Sequence, residues 1–446
     1  VKAYSTSSLQ PNWYLERSRS NVVTWGNFSY ADSNNSQPQN HPPRRVASGA
    51  GDTWWVRRAL GAGGTWWVRR ARNAGVASLR RMERFGLVGL PNAGKSSLYN
   101  ALTGSNALAA PYPFATKDPN IGVAKVLDPR LDALAKMSES KKVVNATIEV
   151  VDIGGLVEGA SKGEGLGNKF LANIREVDAI VFVLRAFVDD DIPGPSDPLE
   201  HLRVVELELA LADLESVETK LGKMQKAARM DKSIADEVAA LERAQKQLAD
   251  GRPLYRAGIS EADRELLAPH FLLTTRRVLA VVNVAEDALD TIPTQVARVA
   301  AELAPPGSAS EHEVEVLGMS VQIEAEAAQL TGQDRIDMLE ALGLGEGALP
   351  RLVRSAYHLL GLRTFFTTGD KESRAWTFHA GSKAPECAGK IHTDLQRGFI
   401  RADVIHCDEL LAAGSWSKAR DAGKLRVEGK DYEVADGDVM EIRFNV

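Results

Sequence analysis

Residues 89–96 read Gly-Leu-Pro-Asn-Ala-Gly-Lys-Ser, a complete G-x-x-x-x-G-K-S motif. An apolar run of strand type at residues 85–88 precedes it, and residues 97–102 read as a helix. A strand, a glycine-rich loop and a helix in this order are what a phosphate-binding P-loop requires. The alternative is a glycine-rich turn without a ligand, but the complete motif in this context favours phosphate. The motif therefore predicts that the chain binds a nucleoside triphosphate.

The residue types in the loop match this chemistry. Gly89 and Gly94 let the backbone turn tightly, so that successive N–H groups and the positive helix end face the phosphate oxygens. Lys95 adds a charge near the β- and γ-phosphates, and the Ser96 hydroxyl is a ligand for Mg²⁺.

Composition sets the wider limits. At 446 residues, with 44% hydrophobic and 25% charged residues, the chain predicts a globular protein of two or three domains. No apolar run reaches the roughly 18 residues of a membrane span, so we expect no membrane partner. Only two cysteines occur, Cys387 and Cys407, which indicates no disulfide framework and fits the cytoplasm.

The first 81 residues differ from the rest. They contain six of the eight tryptophans, and the heptapeptide Thr-Trp-Trp-Val-Arg-Arg-Ala at 53–59 recurs at 65–71. Residues 1–84 carry a net charge of +9, so the remaining 362 residues carry −14. One interpretation is an arm that stacks on nucleic acid and neutralises it. We favour the other, a disordered or non-native extension over 1–81, because this composition cannot bury a core.

Beyond Met82, strands alternate with helical segments. Continuous apolar runs at 179–184 and 278–282 are typical of buried parallel strands, which predicts a doubly wound α/β sheet. Residues 201–262 read as a helical insertion that contains two antiparallel helices. A three-to-four spacing of apolar residues runs through Leu207, Leu211, Leu214, Val217 and Leu221, and a second one runs through 234–248. The two are separated by a break near Met230, with Ser233 as a plausible N-cap. Its charged face is either solvated or a docking surface.

A second element of the site follows the strand at 147–151. Asp152 can hold the Mg²⁺ shell through water, and Gly155 can offer its N–H to the γ-phosphate. The next residue is Leu156, where many GTPases place the glutamine that orients water. A hydrophobic side chain cannot do this, so we expect slow hydrolysis unless another group or a partner takes that role. The glycine-dense run at 159–168 suits a loop that orders around a γ-phosphate.

A third element concerns the base. Residues 281–287 read Val-Val-Asn-Val-Ala-Glu-Asp, where GTPases carry Asn-Lys-x-Asp. Asn283 is retained, Val284 replaces the lysine and Glu286 replaces the aspartate. Both changes weaken a guanine clamp, so ATP becomes plausible.

From about residue 84 onward the chain resembles the Obg-like ATPases, the YchF group of translation-factor-class P-loop NTPases. The resemblance rests on the stretches 86–103, 112–123 (YPFATKDPNIGV), 151–171, 208–215, 281–287, 371–405 and 429–446. It implies an ATPase that tolerates or prefers ATP over GTP and associates with the ribosome, with a nucleotide domain over 82–361 and a β-grasp domain of the TGS type over 362–446. It also implies ligands: Asn92, Ala93, Gly94, Lys95, Ser96 and Ser97 on the phosphates, Ser96 and Thr116 on Mg²⁺, and Asn283, Glu286 and Ser320 at the base.

The chain departs from relatives at three points. Ala115 replaces a cysteine associated with redox response, and the loop at 189–195 offers no catalytic histidine, since nearby His201 is expected only to open a helix. The last base-proximal loop, which is of S-A-K type in relatives, reads Met319-Ser320-Val321-Gln322 here.

The segment from about Leu362 reads as a sheet-rich module, with strands at 374–378 and 424–427 and a turn at Gly437. His392, His406 and Cys407 match no zinc spacing. Lys383, Lys390, Arg397 and Arg401 form either a basic strip for RNA or a solvated face.

The resemblance also implies that the insertion at 201–262 is a coiled coil. The residues and the resemblance together predict a Mg²⁺-dependent, ribosome-associated ATPase with Lys95, Thr116 and Gly155 as catalytic groups. The alternatives are an Obg-type GTPase and a nucleotide-gated binding module with negligible turnover.

Overall fold

A computed structural model describes residues 12–17, 23–28, 83–104, 121–154, 166–188, 195–304 and 314–445. The chain divides into two compact units, Val1–Arg81 and Met82–Val446. In the first unit, β1 (Asn12–Arg17) pairs with β2 (Val23–Phe28) as an antiparallel ribbon. The repeat at 53–71 lies outside the described residues, so its interpretation stays a prediction.

The second unit begins with a six-stranded sheet in the order β4-β6-β3-β7-β8-β9, in which only β4 runs antiparallel to its neighbour. The strands are β3 (Arg84–Val88), β4 (Ile121–Val126), β6 (Ala146–Asp152), β7 (Ala179–Ala186), β8 (Arg277–Val284) and β9 (Val316–Met319). The helices around it are α1 (Lys95–Thr103), α2 (Pro129–Met137), α3 (Leu166–Arg175), α4 (Pro198–Ala228), α7 (Ile292–Leu303), α8 (Val321–Ala327), α9 (Gln333–Ala341) and α10 (Ala348–Leu359).

Both faces of this sheet are buried, which explains the continuous apolar runs. Along β7, Val181 and Val183 belong to one core with α1, α2 and α10, while Ile180 and Phe182 belong to another with α3, α4 and α7. Successive side chains of a strand point to opposite faces, so a central strand such as β7 must be apolar at nearly every position. The predicted doubly wound α/β fold is confirmed.

The helical insertion consists of α4, a 3₁₀ turn at Lys232–Ile234, α5 (Ala235–Ala249) and α6 (Glu261–Leu267). The break near Met230 is confirmed, since α4 ends at Ala228. The cap is not Ser233, because the Asp231 side chain accepts from the Ser233 N–H. The spacing was also misleading for Leu207 and Leu211, which are 49% and 39% exposed.

The reason is that α4 changes partners along its length. Leu202, Val205 and Leu209 pack on the nucleotide sheet, whereas Val217 and Leu221 pack on α5. Leu207 and Leu211 fall on neither contact face, which the three-to-four spacing alone does not reveal.

A second six-stranded sheet has the order β13-β12-β14-β10-β11-β5. Its strands are β5 (Val143–Val144), β10 (Leu362–Thr367), β11 (Ser373–His379), β12 (Phe399–His406), β13 (Arg426–Glu428) and β14 (Asp438–Phe444). The helices α11 (Ala384–Ile391), α12 (Thr393–Arg397), α13 (Cys407–Ala413) and α14 (Trp416–Asp421) accompany it. The predicted strands and turn of this module are present, while its assignment to the TGS type stays a prediction.

This second sheet is not built from the C-terminal segment alone. Strand β5, which precedes β6 in the chain, pairs in parallel with β11 at Val143 and Ser373. In addition, Arg130 on α2 forms ion pairs with Asp128 and Asp436, each at 2.8 Å, and its guanidinium lies 5.3 Å from the Phe366 ring centroid. The domain boundary predicted at residue 361 stays a prediction. Strand β5 and helix α2, which precede this residue, both contact the C-terminal segment.

No helix within the described ranges is both long and apolar enough to cross a membrane.

Candidate nucleotide-binding site

The loop between β3 and α1 has the backbone that a P-loop needs. Gly94 has φ +97°, and a Cβ added there would lie 2.5 Å from the Asn283 side-chain nitrogen. A Cβ at Gly89 would lie 2.4 Å from the Val183 carbonyl oxygen. Asn92 adopts φ +60° although it carries a side chain, and such strain in a loop commonly marks a ligand site. Gly89 is therefore required by space, and Gly94 by space as well as by conformation.

Lys95 lies in the first turn of α1 and is 6% exposed. Its Nζ donates to the Leu90 carbonyl at 2.7 Å, inside the loop. Burial lowers the pKa of Lys95 to about 8, although the nearby Asp152 carboxylate partly offsets this. Desolvation disfavours the charged ammonium when no anion accompanies it. A phosphate bound in this loop would therefore stabilise the charged form of Lys95.

Ser96 and Asp152 meet at the end of β6. The Ser96 hydroxyl donates to Asp152 Oδ2 at 2.8 Å. Asp152 Oδ1 is buried and has no hydrogen-bond partner among the described residues. Mg²⁺ prefers oxygen ligands and keeps several of its waters, so a buried carboxylate oxygen beside a serine hydroxyl fits Mg²⁺. The sequence prediction brought these two residues together correctly, while their role in metal binding stays a prediction.

Asn283 joins the phosphate loop to the base-proximal loop. Its Nδ2 donates to the Ala93 carbonyl at 3.1 Å, and its Oδ1 accepts from the Val321 N–H at 3.0 Å. With 5% exposure, Asn283 fixes the geometry of both loops. The Ser320 hydroxyl beside it is buried and lacks a hydrogen-bond partner among the described residues, so it is available to a ligand.

Residues of the phosphate loop and of the base-proximal loops line one cleft of about 830 Å³. Of the predicted site residues, Asn92, Gly94, Lys95, Ser96, Ser97, Asn283, Glu286 and Ser320 all line it. The Ala93 side chain is buried, and its carbonyl serves Asn283. Thr116, Ala115, Gly155 and Leu156 lie outside the described residues, as does the loop at 189–194.

Sequence reasoning missed several lining residues: Phe187, Val188, Asp287, Gln322, Ala325 and Glu326. Phe187 directly follows β7, so its position at the carboxyl edge of the sheet was the available signal. Arg185, 2% exposed, donates from Nε to the Phe187 carbonyl at 2.9 Å, and its guanidinium lies 4.8 Å from the Phe187 ring centroid. A buried cation therefore holds this aromatic ring at the cleft.

His201 does not open α4 as expected, because the helix begins at Pro198 with Asp197 as its cap. His201 is 1% exposed, and its Nε2 lies 2.7 Å from the Pro195 carbonyl oxygen. A carbonyl only accepts, so Nε2 carries the proton. Burial lowers the His201 pKa, to which the nearby positive charges of Arg185 and Lys95 also contribute. This neutral imidazole ties the chain just before α4 in place.

A second group of polar side chains carries no comparable chemistry. Ligand atoms of His406, Cys407 and Asp408 lie within 4.8 Å of one another. However, His406 Nδ1 caps α13 by accepting from the Asp408 N–H at 3.4 Å. Burial raises the pKa of the Cys407 thiol to about 11, which disfavours the thiolate that metals bind.

Two family models match the chain. The model YchF-GTPase_C, described as a protein of unknown function (DUF933), matches residues 362–445. The model MMR_HSR1, described as a 50S ribosome-binding GTPase, matches residues 84–226.

Similar proteins cover most of the same chain. A protein of Bacillus subtilis named ribosome-binding ATPase YchF is 45% identical over 367 residues, which are 81% of this chain and 99% of that one. Its namesake in Haemophilus influenzae is 44% identical over 365 residues, with the same coverage. The solved structure of the Schizosaccharomyces pombe YchF GTPase has 33% identity and a TM-score of 0.69, covering 81% of this chain and 97% of its own.

A GTP-binding protein of Pyrococcus horikoshii, at 20% identity and a TM-score of 0.51, shares the fold. The identities and coverage, together with a P-loop joined to a base-proximal asparagine, confirm the resemblance: the chain belongs to the YchF family of P-loop NTPases.

Proposed function

We propose that this protein is a Mg²⁺-dependent, cytoplasmic ATPase that hydrolyses ATP to ADP and phosphate and associates with the ribosome according to its nucleotide state. One observation carries the proposal. Lys95, Ser96, Asn283, Glu286 and Ser320 line one cleft, and Ser96 donates to Asp152, whose other carboxylate oxygen has no hydrogen-bond partner among the described residues. A cation, two oxygen ligands and a polar recess in one cleft region suit a nucleoside triphosphate with its metal.

Each group has a distinct task. The backbone of residues 92–97 cradles the phosphates, and Lys95 exchanges the Leu90 carbonyl for a β- or γ-phosphate oxygen. Ser96 and Thr116 would ligate Mg²⁺ directly and Asp152 through water, while the Gly155 N–H would meet the γ-phosphate. When bound, the metal neutralises charge that develops on the phosphate oxygens.

The base end supports ATP at least as well as GTP. Val284 is 2% exposed and packs into the core, so it supplies no long stem over the purine. Glu286 is exposed at the cleft, so a purine without donors for it leaves no buried carboxylate unpaired. A buried carboxylate left unpaired would cost about 1–3 kcal/mol, and that penalty for adenine is absent here. We expect modest preference for ATP rather than strict selection.

Slow intrinsic turnover follows from Leu156, which cannot orient water. Leu156→Gln alone should leave the single-turnover rate nearly unchanged, because a lone glutamine lacks supporting contacts. A wild-type rate in the range of partner-activated GTPases, about 5–20 s⁻¹, without ribosomes would contradict this.

Ribosome association is proposed because the relatives from Bacillus subtilis and Haemophilus influenzae bear that name. The large subunit is favoured by the matched 50S ribosome-binding GTPase model. The C-terminal module, proposed as a TGS domain over 362–446, offers an RNA contact through the exposed Arg401. Lys383 is less available, since it pairs with Asp431 at 2.8 Å.

The second candidate is an Obg-type GTPase, which is favoured by the name YchF GTPase of the Schizosaccharomyces pombe relative and by the matched GTPase model. Titrating ATP and GTP by calorimetry separates the two: GTP binding far tighter than ATP binding would make the GTPase correct. The double change Val284→Lys with Glu286→Asp should move preference toward GTP.

Turnover decides between an ATPase and a nucleotide-gated binding module. Phosphate release from ATP should be measured with and without ribosomes, with Lys95→Ala as the inactive control. Ribosome co-sedimentation in ATP, ADP and a non-hydrolysable analogue then reports the switch. No release above the Lys95→Ala background in either condition would establish the binding module instead.

A further inference from the structure

The end of the helical insertion carries a concentration of basic side chains. Residues 220–232 contain Lys220, Lys223, Lys226, Arg229 and Lys232 against a single acidic residue, Asp231. Lys220 is occupied, since its Nζ donates to the His270 carbonyl at 2.6 Å. The other four are exposed, and we call Lys223, Lys226, Arg229 and Lys232 the basic tip.

The basic tip is not neutralised by its surroundings. None of its four side chains forms an ion pair with an acidic residue in the described part of the chain. Asp231 caps the following turn by accepting from the Ser233 N–H. Glu242 accepts from Gln225 at 2.9 Å, and Glu237 lies 3.0 Å from His270 Nε2. Asp236 lies close enough to Arg243 to raise the pKa of that guanidinium, although Asp263 does so more strongly.

The tip also lies away from the acidic remainder of the molecule. Ala212 is the last α4 residue in the core of the nucleotide sheet, and α4 continues to Ala228. At about 1.5 Å per residue the remaining helix extends roughly 24 Å farther, which exceeds the Debye length of about 8 Å at physiological salt. The charges around the nucleotide sheet therefore do little to oppose an anion at the tip.

The geometry suits a row of phosphates. Lys223, Lys226 and Arg229 follow one another at three-residue intervals, so they are about 4.5 Å apart along the helix axis. Lysine binds phosphate as a compact point charge, whereas lysine is depleted from the cores of protein–protein interfaces. Met230, 92% exposed among these charges, adds an apolar contact for a ribose or base.

We propose that the basic tip binds the phosphate backbone of RNA and thereby contributes to ribosome association. The proposal rests on the ribosome association proposed above for its biological setting, but not for its chemistry. Neutralising several phosphates releases counterions, so the contact is steeply salt-dependent and independent of sequence.

The test uses the full chain with Lys223, Lys226, Arg229 and Lys232 all changed to Gln, which keeps helix propensity similar. The matched control changes Lys125, Lys136, Lys246 and Lys424 to Gln. These four are also exposed and lie elsewhere, so both variants lose the same charge. Binding to a 20-base-pair RNA duplex is measured from 50 to 300 mM salt, together with co-sedimentation with ribosomes.

Each lost phosphate contact should weaken binding about fivefold at 0.15 M salt and lower the salt slope by about 0.9. Loss of three contacts predicts about 100-fold weaker duplex binding in the tip variant, with the control within threefold of wild type. Equal losses in both variants, or none in the tip variant, would overturn the proposal. Weaker ribosome association with unchanged duplex binding would also overturn it, because the tip would then contact a ribosomal protein.

ATP turnover without RNA separates the two proposals. It should be the same in wild type, tip variant and control, because the basic tip lies outside the nucleotide cleft. A wild-type protein without turnover would sink the proposed ATPase, while leaving the duplex measurement fully interpretable.

Discussion

ATP affinity should fall as pH rises above 8, because Lys95 must be charged when phosphate binds. In the free protein burial lowers the pKa of Lys95 to about 8. Triphosphate at the β/γ position stabilises the ammonium, so the pKa in the complex is higher than in the free protein. A group whose pKa rises on binding takes up a proton, and the affinity that this group contributes is complete below the free-state pKa and is lost above it.

The magnitude follows from linkage. With a free-state pKa of about 8, the dissociation constant should double by pH 8 and rise about 11-fold by pH 9, relative to its low-pH limit. Each further pH unit costs about 1.4 kcal/mol until the pKa of the complex is reached. The Lys95–Leu90 hydrogen bond of 2.7 Å is present in the free state and does not alter the sign.

The assay is calorimetric titration of ATP with excess Mg²⁺ between pH 7.5 and 9.5, in two buffers with different ionisation enthalpies. Proton uptake should approach one per site near pH 9. Lys95→Arg is the matched control, since guanidinium does not titrate in this range, and its weaker binding should be independent of pH. A flat wild-type profile, or an identical slope in Lys95→Arg, would refute the reasoning.

Four further outcomes are expected. Gly94→Ala should abolish ATP binding, because its Cβ would lie 2.5 Å from the Asn283 amide. Gly251 has a φ of +73° but open space around it, so Gly251→Ala should leave ATP binding intact. Equal losses of ATP affinity in both variants, measured by calorimetry, would contradict this. Asp152→Asn should retain some ATP binding but lose much of its Mg²⁺ dependence; an unchanged Mg²⁺ titration would argue against the metal assignment. Glu324 accepts from the Ala348 N–H at the start of α10, and burial raises its pKa. The free energy of unfolding should therefore decrease as pH rises from the unfolded pKa of Glu324, about 4.5, through the higher pKa of the folded state. Glu324→Gln should flatten that part of a urea-denaturation profile, and an unaltered slope would contradict it. Deleting residues 1–81 should leave thermal stability and ATP affinity unchanged; a large loss of either would show that this segment packs on the nucleotide unit.

Glu324 shows why some buried polar contacts could not be predicted from sequence. It lies one turn after Ser320 and caps a helix that starts at Ala348. Nothing in the local sequence distinguishes it from a solvated glutamate of a surface helix. Its burial depends on the approach of α10, which is a tertiary event.

Asn283 makes the same point for the site itself. Its position at the end of a strand predicts a role at the base, and that role stays a prediction. That its amide joins the Ala93 carbonyl to the Val321 N–H depends on three segments far apart in the chain. Phe187 likewise became a lining residue only when β7 was placed beside the P-loop strand.

The sequence by itself determined the P-loop, the alternation of buried strands with helices, and the existence of a helical insertion with a break near Met230. These features are local, because backbone geometry at Gly94, side-chain alternation and helix periodicity are specified by neighbouring residues. Tertiary structure alone decided that Leu207 and Leu211 stay exposed, and that β5 completes the C-terminal sheet by pairing with β11. The physical reason is that burial and strand pairing depend on which distant surfaces meet, and local periodicity carries no record of the partner.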